Sequence, residues 1–347
     1  MIEGENQILH AAGATSIALY RLPDAAEYVR MEQTRGLPRR LGSVEELGRE
    51  RGFAMVPFDT EAEPVVLLRP DRVEVCPLEA DEPMTVETVA VDGEGDRSRY
   101  GHDFRRFHEA LFDGKFQKIV LARRSERLMS EEVGAERLFR HACHLYPHQM
   151  VALFSSPLTG TWLMATPEVL LRGDGQRWHT MALAGTMPTD GPWSEKNKEE
   201  QAFVATYIEQ CLRRRATDVT LSPTYTRTAA RLFHLCTDFS FGLPSSRCVG
   251  PLLEELFPTP AVCGIPKDRA RRFIRQNESA PRSYYSGFLG PIDPLGTTEL
   301  YVSLRCVRIE GCRLSLFAGG GLLTESQENK EWAETEAKLK TISHVFE

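Results

Sequence analysis

The order of the strand-like segments constrains the fold of this chain most. After Gly101, short apolar runs rich in β-branched residues follow one another with only turn residues between many of them. The runs are residues 118–123, 150–154, 161–165, 168–172, 283–289, 299–309 and 313–317. Because strands come in adjacent hairpin-like groups instead of alternating with helices, we predict an α+β fold of layered antiparallel β-sheets with helices packed outside. A dinucleotide-binding fold is excluded, since no G-x-G-x-x-G follows an early strand.

The helical segments and the N-terminal part complete the expected organisation. Apolar residues at helical spacing predict helices at residues 104–111, 193–215, 267–276 and 329–346. Strand-like runs at 64–69 and 72–76 flank Pro70-Asp71 and predict a hairpin. The acidic stretch 77–100 predicts a surface excursion. We expect one compact domain, with residues 1–100 a divergent N-terminal portion and residues 101–347 the catalytic region.

Charge and cysteine usage narrow the class of protein. The net charge of −7 argues against a nucleic-acid partner. No apolar run reaches the roughly 18 residues that a membrane-spanning helix needs, and the first 20 residues lack the pattern of a signal peptide. The eight cysteines form no C-x-x-C pair, which is typical of reduced thiols. We therefore expect a cytoplasmic enzyme.

An acidic helix near the C-terminus is the first candidate site. Glu331, Glu334 and Lys338 have i, i+3 and i+7 spacing and so share one helix face. Three consecutive glycines, residues 319–321, precede it and indicate either a tight bend or a loop whose amides approach a ligand closely. A charged helix face is often only solvated, but carboxylates beside such a loop can also hold Mg²⁺.

Four further residues could carry chemistry, each with a plainer alternative. Glu200, near the start of a long helix, either interacts with the helix dipole or completes a magnesium site. Arg305 is expected in mid-strand, either at the surface or paired with a carboxylate. Lys118 and Glu168 open apolar runs, where partial burial would suit a base and an acid, although strand-end surface positions are also typical.

Together these segments resemble the chorismate-utilising enzymes, a family that includes anthranilate, aminodeoxychorismate, salicylate and isochorismate synthases. The resemblance extends from about Phe104 to the C-terminus and depends on ordered blocks. The blocks are KIVLAR (118–123), ATPE (165–168), LAGT (183–186), PTPAVCG (258–264), YSGFLG (285–290), LRC (304–306), AGGG (318–321) and EWAE (331–334).

Three positions in these blocks resemble the isochorismate synthases of the family. Lys118 matches the lysine that activates water, Ala184 stands where aminodeoxychorismate synthases carry a nucleophilic lysine, and residues 260–262 differ from salicylate synthases. The implied activity is Mg²⁺-dependent conversion of chorismate to isochorismate, for menaquinone or siderophore synthesis, with no glutaminase subunit. The oligomeric state is left open. A salicylate synthase is the nearest alternative, followed by an anthranilate or aminodeoxychorismate synthase subunit.

The resemblance also implies a role for each site residue. Lys118 would be the base that activates water, and Glu168 would protonate the departing hydroxyl. Mg²⁺ would be held by Glu200 and Glu334, with Glu331 close by. The implied substrate-binding residues are Gly185, Thr186, Tyr285, Arg305, Gly319 and Lys338. His234 matches a pocket position of the family, and Glu336, off the acidic face, is expected to face solvent.

Overall fold

Two large antiparallel sheets form the centre of the protein. The structure is a computed structural model, and it describes residues 16–80, 86–230 and 232–346. The first sheet has the spatial order β16 (Gly264–Ile265), β8 (Lys118–Met129), β20 (Arg313–Leu322), β19 (Cys306–Glu310), β10 (Gly160–Thr166), β9 (Met150–Ser156), β1 (Ser16–Arg21), β2 (Glu27–Gln33) and β6 (Arg72–Pro77), and β7 (Thr88–Ala90) pairs with β8.

The second sheet has the same number of strands. Its spatial order is β13 (Thr217–Leu221), β15 (Leu232–Gly242), β12 (Trp178–Met187), β11 (Val169–Gly173), β18 (Thr298–Val302), β17 (Phe288–Ile292), β4 (Gly52–Val56), β5 (Val65–Leu68) and β3 (Arg39–Leu41), and β14 (Tyr225–Ala229) pairs with β15.

Helices cover the outer faces of both sheets. Those in the described ranges are α1 (Gly93–Phe112), α2 (Ala135–Leu145), α3 (Glu195–Arg215), α4 (Val249–Leu256), α5 (Lys267–Asn277) and α6 (Glu328–Ser343), with 3₁₀ turns at Glu45–Arg49, Ser246–Cys248 and His344–Phe346. The first sheet packs against α1, α2, α5 and α6, while α3 and α4 pack on the second.

The alternation of side chains explains why many strands are apolar at every position. In β1, Ile17 and Leu19 belong to the outer core beneath α2, whereas Ala18 and Tyr20 belong to the core between the sheets. Successive residues of a strand point to opposite faces, and here both faces are covered. The predicted α+β fold of layered antiparallel sheets with outer helices is therefore confirmed.

One local prediction in the first 100 residues is wrong. The strands flanking Pro70-Asp71 do not form a hairpin, because β5 pairs within the second sheet and β6 pairs with β2 in the first. The turn between them carries the chain from one sheet to the other. The acidic stretch 77–100, which we predicted to be a surface excursion, contains β7 and the start of α1 at Gly93, where the side chain of Asp92 accepts a hydrogen bond from the Gly95 amide as the N-cap. Residues 81–85 lie outside the described part.

Strands from the first 100 residues extend both sheets. Strands β1, β2 and β6 lie at one end of the first sheet, and β3, β4 and β5 lie at one end of the second. The proposed division at residue 100 stays a prediction.

The strand predicted around Arg305 is interrupted. Strand β18 ends at Val302 in the second sheet and β19 begins at Cys306 in the first, so Ser303, Leu304 and Arg305 cross between the sheets. Arg305 has a φ of 47°, a left-handed conformation incompatible with a regular strand. The prediction of a mid-strand arginine is wrong because the apolar pattern continues through a change of sheet.

Candidate active site

A cavity of about 660 Å³, part of it open to solvent, lies between the ends of the two sheets. Most of the site residues expected from the sequence line it: Glu168, Gly185, Thr186, Glu200, Tyr285, Arg305, Gly319 and Lys338. Lys118, Glu331 and Glu334 lie behind this wall. These eight residues are fewer than half of those that line the cavity, and α3, α6 and several strands and connections contribute to its wall.

The glycine triplet lies inside a strand and not in the loop that we predicted. Gly319, Gly320 and Gly321 pair with Ala122, Leu121 and Val120 of β8. On the other side, β19 pairs with β20 only as far as Leu316, so residues 317–321 form an open strand edge. This edge is where α3 and α6 bring charged side chains against the strand.

Side chains crowd against the glycines from both faces of the strand. A Cβ atom on Gly321 would lie 2.0 Å from Glu200 Oε1 and 2.9 Å from Lys118 Cε. On Gly319 it would lie 2.9 Å from the Tyr285 hydroxyl. On the opposite face, a Cβ on Gly320 would meet Glu334 and Glu331 oxygens at 3.4 and 3.5 Å. Glycine is needed at 319 and 321 because these side chains pass directly over the backbone.

Lys118 is fully buried at the start of β8. Its ammonium nitrogen donates to the Pro260 carbonyl at 2.8 Å and lies 3.1 Å from Glu200 Oε1. Burial lowers the pKa of Lys118, and the opposing charges of Glu200 and Glu168 do not reverse this direction. Burial therefore makes this amine easier to deprotonate than an exposed lysine, and the deprotonated amine is the form that can accept a proton.

Glu168 lies at a crossing between the sheets. It stands between Thr166, the last residue of β10, and Val169, the first of β11, and its carbonyl accepts a hydrogen bond from the Val302 amide at 2.9 Å. The crossing that contains Glu168 therefore runs beside the crossing that contains Arg305. Burial raises the pKa of Glu168 to about 8, with Lys118, Lys338 and Arg305 acting in the opposite direction. Near neutral pH this side chain is a proton donor.

Arg305 and His234 form a buried pair in the cavity wall. Arg305 Nη2 donates to His234 Nε2 at 3.0 Å, and His234 Nδ1 donates to the Gly185 carbonyl at 3.0 Å. An arginine can only donate, so these contacts assign the neutral tautomer protonated on Nδ1. Burial, followed by the charges of Arg305 and Lys338, holds the pKa of His234 well below its usual value. Arg305 Nη1 is buried without a protein partner, which leaves one donor for an anionic ligand.

Gly185 and Thr186 lie at an irregularity of the second sheet. The pairing of β12 with β15 shifts register between Ala184 and Met187. Gly185 has a φ of +69°, and a Cβ there would lie 3.1 Å from the Asn197 side chain on α3. The bulge therefore needs glycine, and it turns the Gly185 carbonyl towards His234.

Tyr285 precedes its strand instead of belonging to it. Strand β17 begins at Phe288, and residues 283–286 form a turn, so the predicted strand start at residue 283 is wrong. The Tyr285 ring stacks on Phe317 with centroids 5.6 Å apart, which fixes it in the cavity wall beside Gly319.

The three glutamates predicted to bind metal meet around the open edge of β20, and each is paired with a lysine. Glu200 contacts Lys118, Glu331 contacts Lys196 at 2.6 Å, and Glu334 contacts Lys338 at 2.7 Å. Lys338 also donates to the Gly319 carbonyl at 2.8 Å. In the described part of the chain no three acidic, histidine or cysteine side chains are gathered as a complete metal cluster.

The glutamates nevertheless fit a hard cation. Glu331 is buried and its Oε2 atom has no hydrogen-bond partner, so one carboxylate oxygen is available. Glu331 and Glu334 both face Gly320, which brings their carboxylates to the same side of β20. Burial alone would raise the pKa of Glu200, but Lys118, Lys196 and Lys338 hold it below the usual value and keep the carboxylate ionised. Ionised carboxylates are the ligands that Mg²⁺ prefers.

Lys196 is a site residue that the sequence reasoning missed. Burial would lower its pKa, but Glu200, Glu331 and Glu334 together raise it above the usual value. It precedes Glu200 by one helical turn on α3, and this i, i+4 spacing was the available signal. Glu336 lies off the acidic face with a half-exposed side chain, as expected, and it also pairs with Arg123.

In the described ranges, no helix is both long and apolar enough to cross a membrane.

Comparison with known proteins relates the chain to one enzyme family. The family described as "Chorismate binding enzyme" matches residues 78–347. The chain is 33% identical over 208 residues to the isochorismate synthase EntC of Escherichia coli K12, covering 56% of this chain and 53% of that protein, so it spans about half the length of that relative.

Two further known proteins match the chain over a larger share of their own length. The chain is 32% identical over 256 residues to the putative isochorismate synthase MenF of Mycobacterium tuberculosis H37Rv, covering 67% of this chain and 68% of the relative. The solved structure of a putative 2,3-dihydroxybenzoate-specific isochorismate synthase, DhbC, from Bacillus anthracis is similar in fold, with a TM-score of 0.84 at 24% identity over 98% of this chain and 99% of that chain. The chain therefore belongs to the chorismate binding enzyme family.

Proposed function

We propose that this protein is an isochorismate synthase, which interconverts chorismate and isochorismate by adding water at C2 and releasing the C4 hydroxyl. The observation that carries the proposal is the pair formed by Lys118 and Glu168 beside one cavity. Burial lowers the pKa of the Lys118 amine, which makes it easier to deprotonate, and raises that of the Glu168 carboxyl to about 8, which keeps this acid protonated near neutral pH.

In the direction of isochorismate, Lys118 takes a proton from the water that attacks C2. The Pro260 carbonyl and Glu200 hold the Lys118 amine in place. Glu168 gives its proton to the leaving C4 hydroxyl. One proton is accepted and one is released, so the reaction consumes no other reagent, and the reverse reaction exchanges the two roles.

Chorismate carries two carboxylates, and the site offers a different environment for each. Arg305 has an unpaired buried donor, Nη1, and is held by His234, which suits it to bind the enolpyruvyl carboxylate together with Tyr285 and the Gly319 amide. A buried guanidinium nitrogen such as Nη1 is costly to leave without an acceptor, so a ligand carboxylate is the expected partner. Gly185 and Thr186 would border the C4 side of the ring.

Mg²⁺ is the proposed cofactor, held by Glu200 and Glu334 with Glu331 as a further oxygen donor. A bound Mg²⁺ would supply positive charge for the ring carboxylate of the substrate. The chain's own contribution is to hold the three carboxylates at the open edge of β20 through ion pairs, Glu200 with Lys118, Glu331 with Lys196 and Glu334 with Lys338.

The test is to incubate the purified protein with chorismate and MgCl₂ and to identify the product by chromatography. Isochorismate is the expected product. Salicylate with pyruvate would instead indicate a salicylate synthase, and anthranilate formed with added ammonia would indicate an aminating subunit. Either result in place of isochorismate would overturn the proposal.

A matched pair of lysine variants tests the role of the base. Lys118→Met should reduce kcat by at least about 100-fold, because general base catalysis typically contributes that much. Lys115→Met is the control. Lys115 is half exposed, lies in the connection between α1 and β8, and pairs with Asp113. If the two variants retained similar activity, Lys118 would not be the base.

A further inference from the structure

Trp332 lies between two of the proposed metal ligands in sequence and is enclosed by two guanidinium groups. It directly follows Glu331 and precedes Glu334 by two residues on α6. The Arg123 guanidinium lies 3.8 Å from the centre of the indole ring and the Arg97 guanidinium 5.1 Å from it. Tyr100 meets the same ring edge-on at 5.3 Å. These contacts fix the rotation of the first turns of α6.

Arg123 makes two further contacts with α6. Its Nε donates to the Thr335 hydroxyl at 2.8 Å, and its Nη2 pairs with Glu336. Arg123 is buried on the helix-covered face of β8, whereas Lys118 and Val120 lie on the cavity face of the same strand. One side chain therefore connects the strand that carries Lys118 to three residues of α6, Trp332, Thr335 and Glu336, which span little more than one helical turn around Glu331 and Glu334.

The carboxylates on the other side of this helix depend on its orientation. Glu331 and Glu334 are on the face that approaches Gly320, and Trp332 and Glu336 are on the face that Arg123 contacts. Helical residues are separated by about 100° of rotation, so a small rotation of the helix moves both carboxylates relative to β20 together. Among the described residues, Glu331 has an ion pair with Lys196 and Glu334 has one with Lys338, and such a movement would alter both.

We propose that Arg123 is a positioning residue, which orients α6 through Trp332 and Thr335 so that Glu331 and Glu334 can bind a divalent cation. This inference rests on the proposed Mg²⁺ site. It assigns to Arg123 no contact with substrate or metal. Residues that orient metal ligands commonly change metal affinity by 10-fold or more when they are replaced.

The sign of the effect distinguishes positioning from simple electrostatics. Removing a positive charge near a cation site should strengthen cation binding, because the repulsion disappears. Removing a residue that orients the ligands should weaken it. The matched control is Arg124→Met, which makes the same charge change at the next residue of β8, where the side chain is exposed and pairs with Glu126 instead of with α6.

The experiment measures Mg²⁺ binding by isothermal titration calorimetry to the wild-type protein, Arg123→Met, Arg123→Lys and Arg124→Met, without chorismate. We expect Kd for Mg²⁺ to rise about 10-fold in Arg123→Met, to recover partly in Arg123→Lys, and to stay level or fall in Arg124→Met. Unchanged or tighter binding by Arg123→Met would overturn the inference.

Two controls keep the result interpretable. If wild-type protein does not bind Mg²⁺, the proposed metal site fails, which differs from an Arg123 variant that binds as well as wild type. If Arg123→Met does not fold, Trp332→Leu removes the stacked ring while leaving the Thr335 and Glu336 contacts in place. Trp332→Leu is expected to show the same loss of affinity, and wild-type affinity in this variant would equally overturn the inference.

Discussion

The two adjacent glycines at 320 and 321 allow a sharp test of how β20 shapes the site. In Gly321→Ala, the new methyl group would lie 2.0 Å from Glu200 Oε1, whereas ordinary contacts begin near 3.4 Å, so the carboxylate must move by about 1.4 Å. Lys118 cannot follow freely, because it is fully buried and its Cε lies 2.9 Å from the same methyl position. The substitution therefore separates or displaces the Lys118–Glu200 pair.

The expected cost follows from that displacement. Overpacking of a buried site typically costs about 1–3 kcal/mol in the free energy of unfolding. A misplacement of about 1 Å in a catalytic group can reduce the rate about 100-fold. We therefore expect Gly321→Ala to lower kcat by roughly 100-fold with Mg²⁺ present, while the fold survives.

Gly320→Ala is the matched control for this prediction. Its methyl group would meet Glu334 and Glu331 at 3.4 and 3.5 Å, which are ordinary contacts, on the opposite face of the same strand. We expect a change of less than about 1 kcal/mol in stability, since alanine also reduces the entropy of the unfolded chain. The assays are steady-state turnover of chorismate and denaturant unfolding. Equal activities for the two variants would refute the reasoning.

Further predictions concern the acid, the anion site and pH. Glu168→Gln should lower kcat by about 100-fold to 10,000-fold while retaining Mg²⁺ binding by calorimetry. In wild-type protein kcat/KM should fall as the pH rises through about 8, because Glu168 then loses its proton; a rate that stays level to pH 9 would contradict this assignment. The pKa of Glu168 in the folded protein is higher than its ordinary value of 4.5. Its contribution to the free energy of unfolding is therefore present below pH 4.5 and is lost as the pH rises through 8. In urea unfolding, Glu168→Gln should flatten this decline. Arg305→Met should raise KM about 10-fold or more, since a hydrogen bond to a charged group contributes about 1.5–3 kcal/mol, and an unchanged KM would remove Arg305 from the anion site.

The sequence predicted the layered fold well because most strands carry their own signal. Runs such as 150–154 and 162–165 are apolar at every position, and both sheet faces are covered, so continuous runs still indicate strands. Long helices such as α3 and α6 were also recognisable from their spacing. Which strands pair with each other could not be predicted in the same way. The hairpin predicted at Pro70-Asp71 was wrong because local turn residues do not indicate a change of sheet.

The crossings between sheets explain most of what the sequence did not predict about the site. Glu168 and Arg305 lie at neighbouring crossings, where the apolar pattern continues although the strand ends. The hydrogen bond between the Val302 amide and the Glu168 carbonyl brings the two crossings together over more than 130 residues of chain, and no local pattern specifies such a contact. Lys196 was missed for a related reason, since its partner Glu331 is remote in sequence.

The register between β8 and β20 determines which chemistry each face of the first sheet presents. Lys118 and Arg123 are five positions apart on β8, and this odd spacing places their side chains on opposite faces of the sheet. The same alternation in β20 directs Gly321 towards Lys118 and Gly320 towards Glu331 and Glu334. A slip of one residue would exchange the faces and bring the base beneath the helices, where α1 and α6 leave it no cavity. The register of β8 and β20 therefore determines the positions of the glycine triplet, Lys118 and Arg123 together. No single residue of the two strands predicts this register by itself.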